Sequence, residues 1–267
     1  MFSFYIPFSY YKYTRLKGKF DLLSWLVIYP LFLLLFFCSS SSFETSSILA
    51  FLIAFLAFFS IYEIGYFEND LITTDNESSP TDRLGERKAD FLEKYRGYTF
   101  SRYIFSFVFL YIIYFLNYFD FFEVVLISFY FILTRFFFFF HNSIRSRFNI
   151  LTYFSLACSR YMLAPFLLLL HGEANLGGVV SMLFLFPLLR TFEHSSKPKY
   201  DMPFNRVFFQ QIDFIRVVYY SFLSLFLYFW SSEYFIFSLC FLIYRLLTFL
   251  VSKLFKVKRT ISSSYLK

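Results

Sequence analysis

Long apolar runs separated by short polar breaks dominate the chain, and about eight of them are long enough to be membrane spans. They are read at 22–38, 48–67, 100–116, 121–140, 150–170, 176–189, 214–230 and 234–251; crossing a hydrocarbon core takes roughly 17 to 25 helical residues. The run at 176–189 is short and ends near Pro187, so that span is expected to be tilted, broken or continued into the polar stretch after it. The pattern predicts an all-α fold, a polytopic transmembrane helical bundle of about eight spans, with nine as the alternative. Its parts are a cytoplasmic or interfacial N-terminal segment at 1–21, the bundle at 22–252 and a basic cytoplasmic tail at 253–267, with polar caps at 68–99 and 190–213.

Lys and Arg mark the cytoplasmic side of a membrane protein. Lys12, Arg15, Lys17 and Lys19 precede the first run, and Arg83, Arg87, Lys88, Lys94, Arg96 and Arg102 lie between the second and third. Arg145 and Arg147 follow the fourth, Lys197, Lys199 and Arg206 the sixth, and Lys253, Lys256, Lys258, Arg259 and Lys267 the eighth. The alternate loops at 39–47, 117–120, 171–175 and 231–233 carry neither residue. Both termini are therefore expected in the cytoplasm, for a multi-pass protein whose expected home is a bacterial inner membrane.

Composition agrees with that picture: 58% of residues are hydrophobic, 27% aromatic and only 16% charged. The net charge of +7 falls in separate clusters on one side of the bilayer, which favours anionic headgroups and phosphorylated substrates over nucleic acid as partners. Cys38, Cys158 and Cys240 all lie in apolar runs, so buried thiols are expected and no disulfide framework. The 47 phenylalanines fit lipid-facing and packing positions, and a groove for an isoprenoid or acyl chain is the alternative. Residues 1–20 are aromatic and basic without a compact apolar core, as in an amphipathic segment lying on a membrane. No Gly-rich phosphate loop, Ser-centred nucleophile elbow or HExxH segment is present, and His141, His171 and His194 lack zinc spacing.

The candidate chemistry lies in the caps. Six oxygen ligands crowd the end of the second run, Glu68, Asn69, Asp70, Asp75, Glu77 and Asp82. Like charges held together need a cation or a basic partner, and hard oxygen donors suit Mg²⁺. A helix continued past the membrane boundary would place Glu63, Tyr66, Asp70, Thr73, Thr74 and Glu77 on one face, up to the break at Ser78-Ser79-Pro80. In the second cap Arg190, His194 and Lys197 would share a helical face, and with Lys199 and Arg83 they are the candidate phosphate-binding groups. Arg135, Arg216 and Arg245 are expected to snorkel to the headgroups. Arg160, nearer the middle of its span, is expected to face a cavity or a buried carboxylate such as Glu63, and is the second catalytic candidate. Solvated interfacial loops remain the plain alternative for both caps.

Asn69-Asp70, with Glu77 further on and Pro80 and Arg83 after it, resembles the first acidic motif of the UbiA-type intramembrane prenyltransferase superfamily, which follows that family's second helix. The third acid of the motif is Thr73 here, and the second motif is not found, since only Glu193 and Asp201 lie in that cap. The resemblance implies Mg²⁺-dependent transfer involving an isoprenoid diphosphate or a polyprenyl phosphate or diphosphate lipid, in a cavity open to the membrane. On that resemblance Asn69, Asp70, Asp75 and Glu77 are the expected metal ligands, with Asp70 catalytic, and the missing acids favour a single-metal version in which basic side chains replace the second site. Two other readings stay open: a carrier or flippase for a phosphorylated lipid, and a non-catalytic UbiA-like assembly partner.

Overall fold

The computed structural model describes residues 2–40, 45–76, 82–144, 146–197, 200, 202 and 212–254, and among them every regular element is helical. In chain order the helices are α1 (Ser9–Arg15), α2 (Lys19–Leu26), α3 (Phe32–Ser40), α4 (Thr45–Leu71), α5 (Lys88–Glu93), α6 (Tyr95–Phe115) and α7 (Phe121–Ser143). They continue as α8 (Asn149–Tyr161), α9 (Leu163–Leu170), α10 (Leu176–Leu183), α11 (Leu189–Ser195), α12 (Ile212–Trp230) and α13 (Ser232–Leu254). Among the described residues seven helical stretches are long and apolar enough to cross a membrane, and the number is eight when α8 and α9, broken at Met162, are taken as one span. The chain is a polytopic helical membrane protein, and it divides into two compact units: Met1–Ile144 with Leu163–Ala174, and Arg145–Met162 with Asn175–Lys267.

In the first unit α4 is the central helix. Its apolar window is 72% buried, against 28% for α6 and 22% for α7. Small residues make this possible: Ala50, Ala54, Ala57 and Ser60 are buried along α4 and let neighbouring backbones approach. Gly65 is the tightest point, where an added Cβ would stand 2.2 Å from the Phe138 ring of α7. The α2–α3 stretch crosses Pro30 through a π-turn at Val27–Leu31, a wider turn that accommodates a residue with no N–H. On the loop side free of Lys and Arg, α7 starts at a capping box: Asp120 Oδ1 accepts from Glu123 N at 2.7 Å, and Asp120 N donates to Glu123 Oε2 at 2.7 Å.

Residues 2–15 are folded into the first unit, which departs from the expectation of a segment lying on the membrane. Phe4, Tyr10, Phe67, Leu71, Leu84, Phe91 and Tyr98 form one buried, mainly aromatic cluster. Burial of those rings favours docking of the segment into the helices over spreading at the interface.

In the second unit α12 and α13 pair along their length, α8 packs on α11, and α10 meets both α8 and α13. The sixth apolar run continues past Pro187 through a π-turn at Phe184–Leu188 and on to Ser195, as the extended alternative anticipated. Carbonyls in that wide turn are capped from α12, by the Tyr219 hydroxyl on Phe184 O and the Tyr220 hydroxyl on Leu185 O at 2.8 Å. Phe107, Phe129, Phe139, Phe222 and Phe229 face outward while Phe51, Phe58 and Phe67 are fully buried, so phenylalanine serves both lipid-facing surface and core. Cys38 is buried as expected, but Cys158 is half-buried and Cys240 lies on the exposed face of α13.

Candidate functional site: two clusters of ion-paired carboxylates

α4 has 27 residues, a length of about 40 Å at 1.5 Å per residue, roughly 10 Å more than a hydrocarbon core is thick. Its last turns carry Glu63 and Asp70, seven residues apart and thus on one face. Both are buried, at 0% and 4% exposure. A buried carboxylate is tolerated only when paired and hydrogen-bonded, and residues 2–15 supply much of that pairing.

Glu63 accepts from Arg102 Nε at 2.7 Å, from Tyr11 N at 2.7 Å and from Phe8 N at 3.0 Å. Arg102 spends its remaining donors on Tyr5 O at 2.7 Å, Phe4 O at 2.8 Å and Ser101 Oγ at 3.0 Å. Phe8 has a positive φ of 76°, a left-handed conformation costly for a bulky residue, at the turn that aims its N–H at Glu63. The partner of Glu63 is therefore Arg102 and not Arg160, which corrects the sequence expectation. Arg160, on α8 in the other unit, is half-buried with its guanidinium 5.7 Å from the centre of the Tyr161 ring.

Asp70 is held more heavily. Arg15 grips both carboxylate oxygens, with Nη2 to Oδ1 at 2.9 Å, and Arg83 Nη1 reaches Oδ1 at 3.0 Å. The Tyr10 hydroxyl donates to Oδ2 at 3.0 Å, and Asn69 Nδ2 stands 3.3 Å from Oδ1. The Arg15 guanidinium also lies 4.2 Å from the centre of the Tyr66 ring. Burial of Arg15 opposes its charge, but the Asp70 carboxylate outweighs that and holds the guanidinium above its ordinary pKa. Burial first, and the Asp70 charge second, push the Tyr10 phenol far above the ordinary tyrosine value, so it acts as a neutral donor. Glu68, the third acid of this region, pairs with Arg135, which is thus held by a carboxylate rather than reaching freely for headgroups.

The expected metal set is placed as follows. Asn69 and Asp70 lie side by side, but Asn69 Oδ1 accepts from Thr73 Oγ1 at 3.3 Å and Asp70 is surrounded by two guanidiniums and a phenol. α4 ends at Leu71, and Asp75 follows in a 3₁₀ turn at Thr73–Asn76 instead of on a continued helix. Glu77 lies outside the described residues. Asp82 accepts from the backbone N–H groups of Leu84 and Gly85 and so shapes its own turn. Among the described residues no group of three or more His, Cys, Asp or Glu side chains is placed to hold a metal. Mg²⁺ needs oxygen ligands with lone pairs to give, and a divalent cation at Asp70 would stand against Arg15 and Arg83. The described residues do not fit it.

The second cluster lies in the second unit. Glu193 accepts from Arg190 Nη1 at 2.9 Å and from Arg216 Nε at 2.7 Å, and Arg216 Nη1 reaches Asp213 Oδ1 at 3.1 Å. Arg216 and Arg245 are buried, at 8% and 5% exposure, instead of snorkelling as expected. Arg190 and His194 do not act together: the His194 ring stacks on Tyr153 with centroids 3.8 Å apart, and its Nε2 is 3.2 Å from Asn149 Oδ1 and bonded to the Tyr200 hydroxyl. Lys197 is half-buried beyond the end of α11, and Lys199 lies outside the described residues. Beside α8 and α11 runs an open groove of about 520 Å³ lined by Phe148, Ile150, Leu151, Phe154, Leu188 and Thr191, with Arg147 on its wall.

Sequence reasoning took Arg15 and Arg102 only as markers of the cytoplasmic side and Arg245 as a snorkelling side chain, and it passed over Tyr10; Arg15, Arg102 and Tyr10 hold the first cluster. One signal for Arg102 was present, an arginine among aromatic residues two turns into an apolar helix. Comparison with protein-family models, with curated proteins and with solved structures finds no match for this chain.

Proposed function

We propose that this polytopic membrane protein binds a phosphorylated lipid of the isoprenoid or polyprenyl phosphate kind through guanidinium groups at the basic ends of its helices, without Mg²⁺-dependent ionisation at the first cap. The observation that carries the metal-free part of this reading is Asp70: both of its oxygens are engaged by Arg15, Arg83 and Tyr10, so the acid that would hold a metal is an internal anchor. The open groove lined by Phe148, Ile150, Leu151, Phe154 and Leu188 supports the lipid part of it, since an almost wholly apolar lining suits a hydrocarbon chain. An inner-membrane location with both termini in the cytoplasm belongs to the same reading, since it puts the guanidiniums level with anionic headgroups.

The test is native mass spectrometry of the full chain in micelles with EDTA, offering a polyprenyl phosphate and the polyprenol of equal length. Selective retention of the phosphate is expected, and equal retention of the two removes the proposal. A Mg²⁺-dependent transferase of the UbiA type is the second reading, favoured by the placement of Asn69-Asp70 at the end of the second long helix. Release of diphosphate from an isoprenoid diphosphate, abolished by EDTA, would select it.

A further inference from the structure

In the second unit three guanidiniums converge on too few carboxylates. Arg190 and Arg216 share Glu193, and Arg216 also holds Asp213, so both acids are already engaged. Arg245 comes in from α13. Its Nε is buried without a hydrogen-bond partner, and among the described residues no carboxylate lies within ion-pairing distance of it. Tyr220 of α12 meets Phe241 of α13 with ring centroids 5.7 Å apart, which in this helix pair sets Arg245, one turn on, beside the turn of α12 that carries Arg216; Arg216, Tyr220, Arg190 and Glu193 are the charged and titratable groups bearing most on it. Its nearest aromatic face is Tyr244, 5.2 Å away, on its own helix.

The Arg245 side chain is packed into the unit, with the residue only 5% exposed. A buried cation among like charges is expensive, and at membrane depth more so. Three guanidiniums against two carboxylates leave one positive charge that the described residues do not balance. Guanidinium forks also match the geometry of a tetrahedral oxyanion and donate to it two bonds at a time.

We propose that Arg245, with Arg190 and Arg216, forms a buried binding site for a phosphate-type oxyanion in the second unit. The site rests on the phosphorylated-lipid reading only for its source: a lipid headgroup and free phosphate share the chemistry, and the test separates them. The full chain in neutral detergent is melted against rising inorganic phosphate, as wild type, Arg245→Gln and Arg245→Lys. Phosphate is expected to raise the wild-type melting temperature, with affinity about tenfold or more weaker in Arg245→Gln, as for loss of a charged hydrogen-bonding group. Arg245→Lys keeps the charge but loses the fork, and an intermediate affinity is expected. Without phosphate, Arg245→Gln is expected to melt no lower than wild type, since it removes an uncompensated buried charge; a merely structural arginine would give the opposite sign.

A second arm places wild type and Arg245→Gln in phosphatidylcholine nanodiscs with and without phosphatidic acid. Stabilisation by phosphatidic acid that depends on Arg245 assigns the site to a lipid headgroup. Arg245-dependent stabilisation by inorganic phosphate alone upholds the site and counts against the lipid reading. A wild type indifferent to both probes, or variants that respond to them as wild type does, overturns the site.

Discussion

Removing Arg102 while leaving Glu63 in place is the sharpest perturbation of the first unit. Both side chains are completely buried, and the Arg102 guanidinium also donates to Phe4 O, Tyr5 O and Ser101 Oγ. Arg102→Gln would strand a carboxylate with only the N–H groups of Phe8 and Tyr11 and orphan two carbonyls. Breaking a buried pair from one side costs about 3–5 kcal/mol. The double variant Glu63→Gln/Arg102→Gln removes both charges, and the side-chain amide introduced in place of the Glu63 carboxylate still offers an oxygen to those two N–H groups. Together with the single Glu63→Gln it closes a double-mutant cycle; it should recover part of the loss, the Phe4 and Tyr5 carbonyls staying unpaired, with a coupling of about 2 kcal/mol or more. The assay is reversible unfolding in mixed micelles, paired with hydrogen exchange at the Phe8 and Tyr11 amides, which should speed up in Arg102→Gln. An Arg102→Gln cost below about 1 kcal/mol, the scale of an exposed pair, with exchange unchanged would refute the reasoning.

Three further outcomes follow from the same contacts. Gly65→Val should disrupt the α4–α7 approach, because even one added carbon meets the Phe138 ring, and thermal melting should show a far larger loss than the same change at Gly85, where an added Cβ meets nothing within 4 Å, apart from the strain of its positive φ. Since the folded-state pKa of Tyr10 lies above the ordinary value of 10.0, its contribution is complete below that pH and is lost as pH rises towards the folded-state value; wild type should lose more stability than Tyr10→Phe between neutral pH and pH above 10. Deleting residues 2–15 should expose Asp70 and Glu63 together, measured as new carboxyl labelling at both by a water-soluble carbodiimide, and labelling unchanged by the deletion would contradict the docked arrangement.

The spans were legible because apolar length and the Lys/Arg asymmetry are properties of local sequence, and the helical boundaries fall within a few residues of the expected ones. The disturbance at Pro187 was legible for the same reason. The partners of the acids were not. Asp70 and Arg15 are 55 residues apart, and Glu63 and Arg102 are 39 apart, and nothing in the periodicity of either segment encodes which guanidinium reaches which carboxylate. An acidic cluster at a membrane boundary reads equally as a metal site or as the negative half of an ion-pair network. Choosing between them required knowing that the aromatic N-terminal segment folds into the unit and carries Arg15 with it.

The most direct measurement is Mn²⁺ titration, read by electron paramagnetic resonance, of metal-stripped full-length wild type and Asp70→Asn in the same micelles. If Asp70 is an anchor for Arg15 and Arg83, both proteins give the same spectrum of free and weakly held ion. A tight Mn²⁺ site present in wild type and lost in Asp70→Asn would contradict that assignment and restore Asp70 to a metal centre.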